Sequence, residues 1–248
     1  MKILVCISAV PDTTSKINFT DGDSRFDTQG VQFVINPNDE FGLTRAIWFQ
    51  EQQQAEVHIA TVGGAQVEPI MRKALAIGAT KGYRIDAEPV DGFFVAEQLT
   101  ALIKNESYDL IICGRESIDY NGAMVPGLIA HACGFAFINT CVHLETDGVL
   151  AKAIREIDGG NETLSTSLPL VIGAQKGLVE ESDLKIPNMR GIMMARQKPI
   201  EVLPPVAVEA RTADLKFERP KAKGEVTLVD ANDLDTLIHL LHKEANVL

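Results

Sequence analysis

The chain has 248 residues, a formal net charge of −11 and 46% hydrophobic residues, which is enough apolar material for one large domain and an appendage without disulfide staples. The acidic balance argues against nucleic acid or an anionic membrane surface as partner, and no apolar run approaches the roughly eighteen residues that would insert into a membrane. Cys6, Cys113, Cys133 and Cys141 form no CxxC pair and share no metal-type spacing with the histidines; reduced thiols and a cytoplasmic location are the expectation.

The opening MKILVCISAV is followed at once by Pro11 and Asp12 and reads as a first strand rather than a leader. SKINFTDGDSRFD, with a turn at Asp21-Gly22-Asp23, predicts a hairpin excursion. VQFVI then leads into a helix starting at NPNDEFGLTRAI, for which Asn38 is the expected N-cap and Asp39 and Glu40 favour the first turn. The pattern repeats as strand EVHIATV, helix VEPIMRKALAIG, strand GYRID, helix GFFVAEQLTALIKN, strand YDLIIC and helix VPGLIAHAC. Alternation of this kind implies an α/β fold with a doubly wound, mostly parallel sheet.

After Gly134 the rhythm changes. VLAKAIREIDGGNETLSTSLPLVIGA has two alternating segments around Asp158-Gly159-Gly160 and predicts a β-hairpin added to the sheet. Residues 175–191 are polar, irregular and long for a plain connection, which marks a candidate functional loop. From Pro204 the chain is rich in Pro, Lys and Glu and reads as an extended arm. It ends in a helix with Asp230 as expected cap and Leu234, Leu237, Ile238 and Leu241 on one stripe. The expected division is residues 1–203 for the α/β domain and 204–248 for the arm.

Three loops should meet at the carboxyl edge of the sheet: Ile35 to Asn38, Thr61 to Gly64, and the stretch from Gly114. Their backbone N–H groups, small residues and helix N-termini suit a phosphate or ribose. There is no GxGxxG fingerprint and no GxxxxGK[ST] loop. Ser117 lacks the context of a nucleophile elbow, and Asp119, Glu156 and Asp158 form no recognisable catalytic set.

Several of these segments resemble the beta subunit of electron transfer flavoprotein. The most specific are REIDGGNETLSTSLPLVIGA and IPNMRGIMMARQKPIEV, in that order; NPNDEFGLTRAI, MRKALAIGATKGYRI and the loop from Gly114 are similar too. The resemblance implies an adenine-nucleotide-binding, Rossmann-like fold holding AMP, or in some members a second FAD with electron bifurcation. It places nucleotide contacts at Cys6, at Asn36, Pro37, Asn38 and Asp39, at Val62, and along Gly114, Arg115, Glu116, Ser117, Ile118, Asp119, Tyr120, Asn121, Gly122, Ala123, Met124 and Val125. Met124 stands where the family has glutamine, and Pro126 near its glycine. The resemblance further implies no catalytic residue and no metal. It implies an electron-carrier role beside an alpha subunit that holds the redox FAD, on which residues 204–248 would pack. Glu156 would face the flavin domain, and a recognition loop over residues 182–191, with Leu184, Ile186 and Pro187, would dock dehydrogenases such as acyl-CoA dehydrogenase.

Overall fold

The computed structural model describes residues 1–221, 224 and 226–247. Within the arm expected from Pro204, Ala222, Lys223, Glu225 and Leu248 lie outside the described residues.

In chain order the strands and helices are β1 (Lys2–Cys6), β2 (Ala9–Pro11), β3 (Phe19–Thr20), β4 (Arg25–Phe26), β5 (Phe33–Ile35), α1 (Pro37–Gln53), β6 (Glu56–Val62), α2 (Glu68–Ile77), β7 (Lys81–Ile85), α3 (Gly92–Asn105), β8 (Leu110–Gly114) and α4 (Val125–Cys133). They continue as β9 (Ala136–Thr146), β10 (Leu150–Ile157), β11 (Gly160–Ser167), β12 (Leu170–Ala174), α5 (Met189–Ala195), β13 (Ile200–Leu203) and α6 (Leu234–His239). A nine-stranded sheet runs β11-β10-β9-β12-β8-β1-β6-β7-β13. From β9 to β13 every pairing is parallel, and β10 and β11 are antiparallel additions.

Alternation along the central strands sorts the core into two halves. Ile3, Val5, Ile59, Leu110, Ile112 and Ile172 face α1 and α2. Leu4, Cys6, Ala60, Ile111, Cys113 and Val171 face α3 and α4. The sheet is therefore doubly wound, as the strand–helix alternation predicts, and each such buried aliphatic contributes about 1.5–3 kcal/mol.

Four local expectations need correction. The N-cap position of α1 is Asn36, and Asn38 is already inside the helix because Pro37 occupies its first turn, where a missing N–H costs nothing. The cap of α6 is Asp233, which accepts from Thr236 N at 3.1 Å; Asp230 instead closes a local turn by accepting from Asn232 N. LPLVIGA does not end the hairpin: Leu170–Ala174 crosses to the middle of the sheet and pairs with β8 and β9, its five residues all buried. The polar stretch after it is not wholly irregular, since α5 begins at Met189 with Asn188 as its cap.

The arm is not free along its length. Gln98 exchanges two hydrogen bonds with Val206, at 2.8 Å each. Asp91 caps α3 with one carboxylate oxygen and holds the Arg211 and Thr212 N–H groups with the other. Further on, Phe217 stacks on Phe19 with centroids 4.8 Å apart. Beyond it the apolar side chains of α6, Leu234, Leu237 and Ile238, are exposed.

Candidate functional site

The parallel order reverses at β1, which has β6 on one side and β8 on the other, and ligands of open α/β sheets bind outside the carboxyl ends of the strands at such a point. Two of the three expected loops are sewn together there. Asn36 Nδ2 and Asn38 Nδ2 both donate to the Glu116 carbonyl, at 3.0 and 3.1 Å, and Ile118 N–H donates to Asn36 Oδ1 at 3.2 Å. Below them, Asp39 is buried and accepts from Ser8 N at 2.7 Å and Gly114 N at 2.8 Å. One carboxyl thus ties together the turn after β1, the end of β8 and the first turn of α1. The third loop is held separately: Gly63 N–H donates to the Ile85 carbonyl, and Arg84 donates to the Gly63 carbonyl at 3.0 Å.

Gly114 makes this junction possible. A Cβ there would overlap Asp39 Oδ1 and lie 2.8 Å from Asn36 Nδ2 and 2.9 Å from Asn38 Cβ. The space that glycine leaves is filled by the protein's own turn.

Cys6 and Val62 end β1 and β6 and are buried, with the Cys6 thiol against that of Cys113. Pro37 is exposed and Asn38 half-buried on the rim. Arg115, Glu116, Ser117 and Ile118 form the half-buried base of the long loop, whereas Asp119 to Met124 are exposed and Val125 opens α4. Asn121 and Ala123 adopt left-handed backbone angles, both with φ 50°. Among the described residues, the N–H groups of Gly122, Ala123, Met124 and Val125 make no hydrogen bond within the protein, so a row of donors stands at the mouth of α4. Leu184 packs against the core, Pro187 is half-buried, and Ile186 is 82% exposed. Glu156 is exposed near the end of β10.

Local pattern missed two contributors, Ser8 and Gln175, and the contact that Tyr120 makes. Ser8 offers only a backbone N–H and carries no sequence signal. Tyr120 OH donates to Asp214 Oδ2 at 2.7 Å, joining the long loop to the arm. Gln175, the first residue past β12, bonds Glu156.

Burial pushes the Asp39 carboxyl up to about 7, against the lowering influence of the Ser8, Asn36 and Gly114 donors. The unfolded carboxyl titrates near 3.9, so the native state binds the extra proton between the two values. This contribution to stability is complete below the unfolded value and is lost as pH rises through about 7. Calorimetric melting of wild type and Asp39→Asn from pH 5 to 8 should therefore show the wild-type margin shrinking as pH rises. The amide itself costs about 1–3 kcal/mol, because its NH2 faces a backbone donor.

A doubly wound, mostly parallel sheet with two loops sewn together at its switch point defines the chain as a doubly wound α/β protein. Within that class, a model for the electron transfer flavoprotein domain matches residues 23–208. Similar full-length proteins include the electron transfer flavoprotein subunit beta of Syntrophomonas wolfei subsp. wolfei, 33% identical over 226 residues, or 90% of this chain and 88% of that one. The subunit of the same name from Bacillus subtilis is 30% identical over 262 aligned residues covering both chains in full. The mitochondrial subunit beta of Arabidopsis thaliana is 31% identical over 259 residues, again with full coverage of both. The chain belongs to the electron transfer flavoprotein beta-subunit family, a family of electron carriers.

Proposed function

We propose that this chain is the nucleotide-holding half of a heterodimeric electron carrier. AMP sits in the crevice as a structural ligand, the redox FAD is carried mainly by an alpha subunit, and dehydrogenases such as acyl-CoA dehydrogenase dock on residues 182–191. The observation that carries the reading is the junction at Asp39, which ties the turn of Asn36 and Asn38 to the base of the same long loop whose far end, Gly122 to Val125, carries unpaired N–H groups among the described residues. These donors fit a phosphate and ribose: they are uncharged, they lie at a helix N-terminus, and they need no lysine or arginine. AMP bound there supplies no redox chemistry; it would brace the long loop. Residues 1–203 form the nucleotide domain, and 204–248 the arm whose exposed apolar helix packs on the alpha subunit. Glu156 faces the flavin domain and biases its swing. No helix among the described residues is long and apolar enough to cross a membrane, and the four free thiols suit the cytoplasm.

Co-expression with the alpha-type subunit, followed by mass spectrometry of the released nucleotides, tests this directly. One AMP and one FAD per heterodimer supports it. Two FAD would assign the crevice to a second flavin and the dimer to electron bifurcation, and no nucleotide beyond the alpha subunit's FAD would overturn the reading of the crevice.

The docking role makes a separate demand. Ile186 projects from the loop while Lys185 beside it is anchored, its N–H to Thr44 Oγ1 at 3.2 Å and its ammonium to Glu51 at 2.8 Å. Burying one isoleucine contributes about 1.5–3 kcal/mol, and each ~1.4 kcal/mol is tenfold in affinity. Ile186→Ala should raise the KM for the dehydrogenase by about one to two orders of magnitude while flavin content and melting temperature stay put. A lowered melting temperature with unchanged electron transfer would assign Ile186 to the core instead.

A further inference from the structure

Arg115, Gln175 and Glu156 form a hydrogen-bonded row across the carboxyl edge of the sheet. Its origin is the register of the two central strands. Ala174 of β12 is paired with Gly114 of β8, and the Arg115 N–H donates to the Ala174 carbonyl at 2.8 Å. The first residues past each strand, Arg115 and Gln175, are therefore neighbours. Gly173 allows the close approach, since a Cβ there would lie 3.2 Å from Arg115 Cα and overlap Asn139.

The polarity along the row is determined at every step. Arg115 Nη2 donates to Glu116 Oε1 at 2.7 Å, and Nη1 donates to Gln175 Oε1 at 3.4 Å. With its carbonyl turned toward the guanidinium, the buried amide of Gln175 presents its NH2 to Glu156 Oε2 and bonds it. Thr140 Oγ1 holds the Glu156 carbonyl at 2.7 Å. At the other end, the Glu116 carbonyl is the acceptor shared by Asn36 and Asn38. Hydrogen bonds arranged head to tail polarise one another, and this holds from Arg115 through Gln175 to Glu156; Arg115 also donates to the Glu116 carboxylate, and Glu116 reaches the nucleotide turn through its separate backbone carbonyl.

Among the described residues, the groups around Glu156 leave it without a counter-ion. It lines a cleft of about 540 Å³ with Arg115, Gln175, Lys176 and Glu180. The two bases are already paired, Arg115 with Glu116 at 2.7 Å and Lys176 with Glu181 at 2.7 Å. Among the described residues, Glu156 has an amide partner and no cation. An amide orients a carboxylate without neutralising it, whereas a salt bridge would spend its field on a local partner.

We propose that Gln175 and Arg115 are positioning residues: they hold Glu156 in one orientation and tie it to the nucleotide turn. The proposal rests on the reading of Glu156 as the acid facing the flavin domain. It adds that this acid works only when the amide of Gln175 holds it.

The test uses the co-expressed heterodimer and steady-state electron transfer from a dehydrogenase. Gln175→Leu, Glu156→Gln and the double variant are compared for kcat, KM, nucleotide content and melting temperature. Gln175→Met, which keeps the side-chain length without the amide, serves if the leucine variant does not fold. The expected result is a fall in kcat of about fivefold to tenfold in each single variant, with KM and nucleotide content unchanged. The double variant should be no slower than Glu156→Gln alone, because residues acting through one contact are not additive. If Glu156→Gln slows transfer and both Gln175 variants are silent, the proposal fails while the role of Glu156 stands. If all variants are silent, both fail. Additive losses, or a loss confined to KM, would also overturn the positioning role.

Discussion

Gly114→Val is expected to lower the melting temperature by roughly 10 °C and to leave the purified protein largely without nucleotide. The branched side chain would have to displace Asp39, Asn36 or Asn38, and Asp39 cannot yield without releasing the N–H of Ser8 and the buried N–H of Gly114. Overpacking costs about 1–3 kcal/mol, and stranding the buried Gly114 donor adds about 1–3 kcal/mol. A total near 4 kcal/mol corresponds to the stated shift for a domain of this size. Gly114→Ala meets the same three atoms with less bulk and should fall between the two. Differential scanning calorimetry and nucleotide release measure both effects, and a valine variant that keeps full nucleotide at wild-type melting temperature would show the junction to be an ordinary turn.

Ending the chain at Val229, or replacing both Leu237 and Ile238 by aspartate, should abolish co-purification with the alpha subunit while the circular dichroism of the remaining chain is preserved. Leu234, Leu237 and Ile238 are all exposed on α6. Burying what remains exposed of the three on a partner is worth about 2–5 kcal/mol in total, so their loss weakens association by roughly one to three orders of magnitude. Cutting instead at residue 206 is a poorer experiment, because it also strips the hydrogen bonds from buried Gln98 and from Asp91. A dimer that forms normally without α6 would move the interface elsewhere.

The layered fold was legible because each strand–helix unit writes its own period. β12 escaped because its true neighbours are remote in sequence. LPLVIGA follows an alternating strand directly and looks like its continuation, whereas the five buried residues Leu170–Ala174 are the signature of a strand covered on both faces. β9 was missed for another reason. Its run AFINTCVHLET mixes polar and apolar residues, and it is bulged against both neighbours around Thr140, whose φ is 49°, so no clean period survives. Of the three loops expected to meet, Ile35 to Asn38 and the stretch from Gly114 do join, the Gly63 loop is held separately, and the contacts that join the first two were not legible. Asn36 and Asn38 look like helix caps by local rule, yet their amides are spent on a carbonyl some eighty residues away. Arg115, Gln175 and Glu156 become neighbours only through the strand order β10-β9-β12-β8.

For the docking role proposed above, the anchoring of the loop around Ile186 carries a kinetic consequence. Besides the Thr44 and Glu51 contacts on Lys185, its far end is fastened to α2: Gly191 has no room for a side chain against the Ala76 carbonyl, and Arg72 donates to the Ala195 and Lys198 carbonyls at 2.7 and 2.6 Å. A segment already ordered does not lose its conformational freedom again on association, so encounter need not wait for folding. A small apolar contact also keeps dissociation fast, since differences in affinity are expressed chiefly in the off-rate. Fast arrival and short residence suit a shuttle that must leave one protein before it can serve the next.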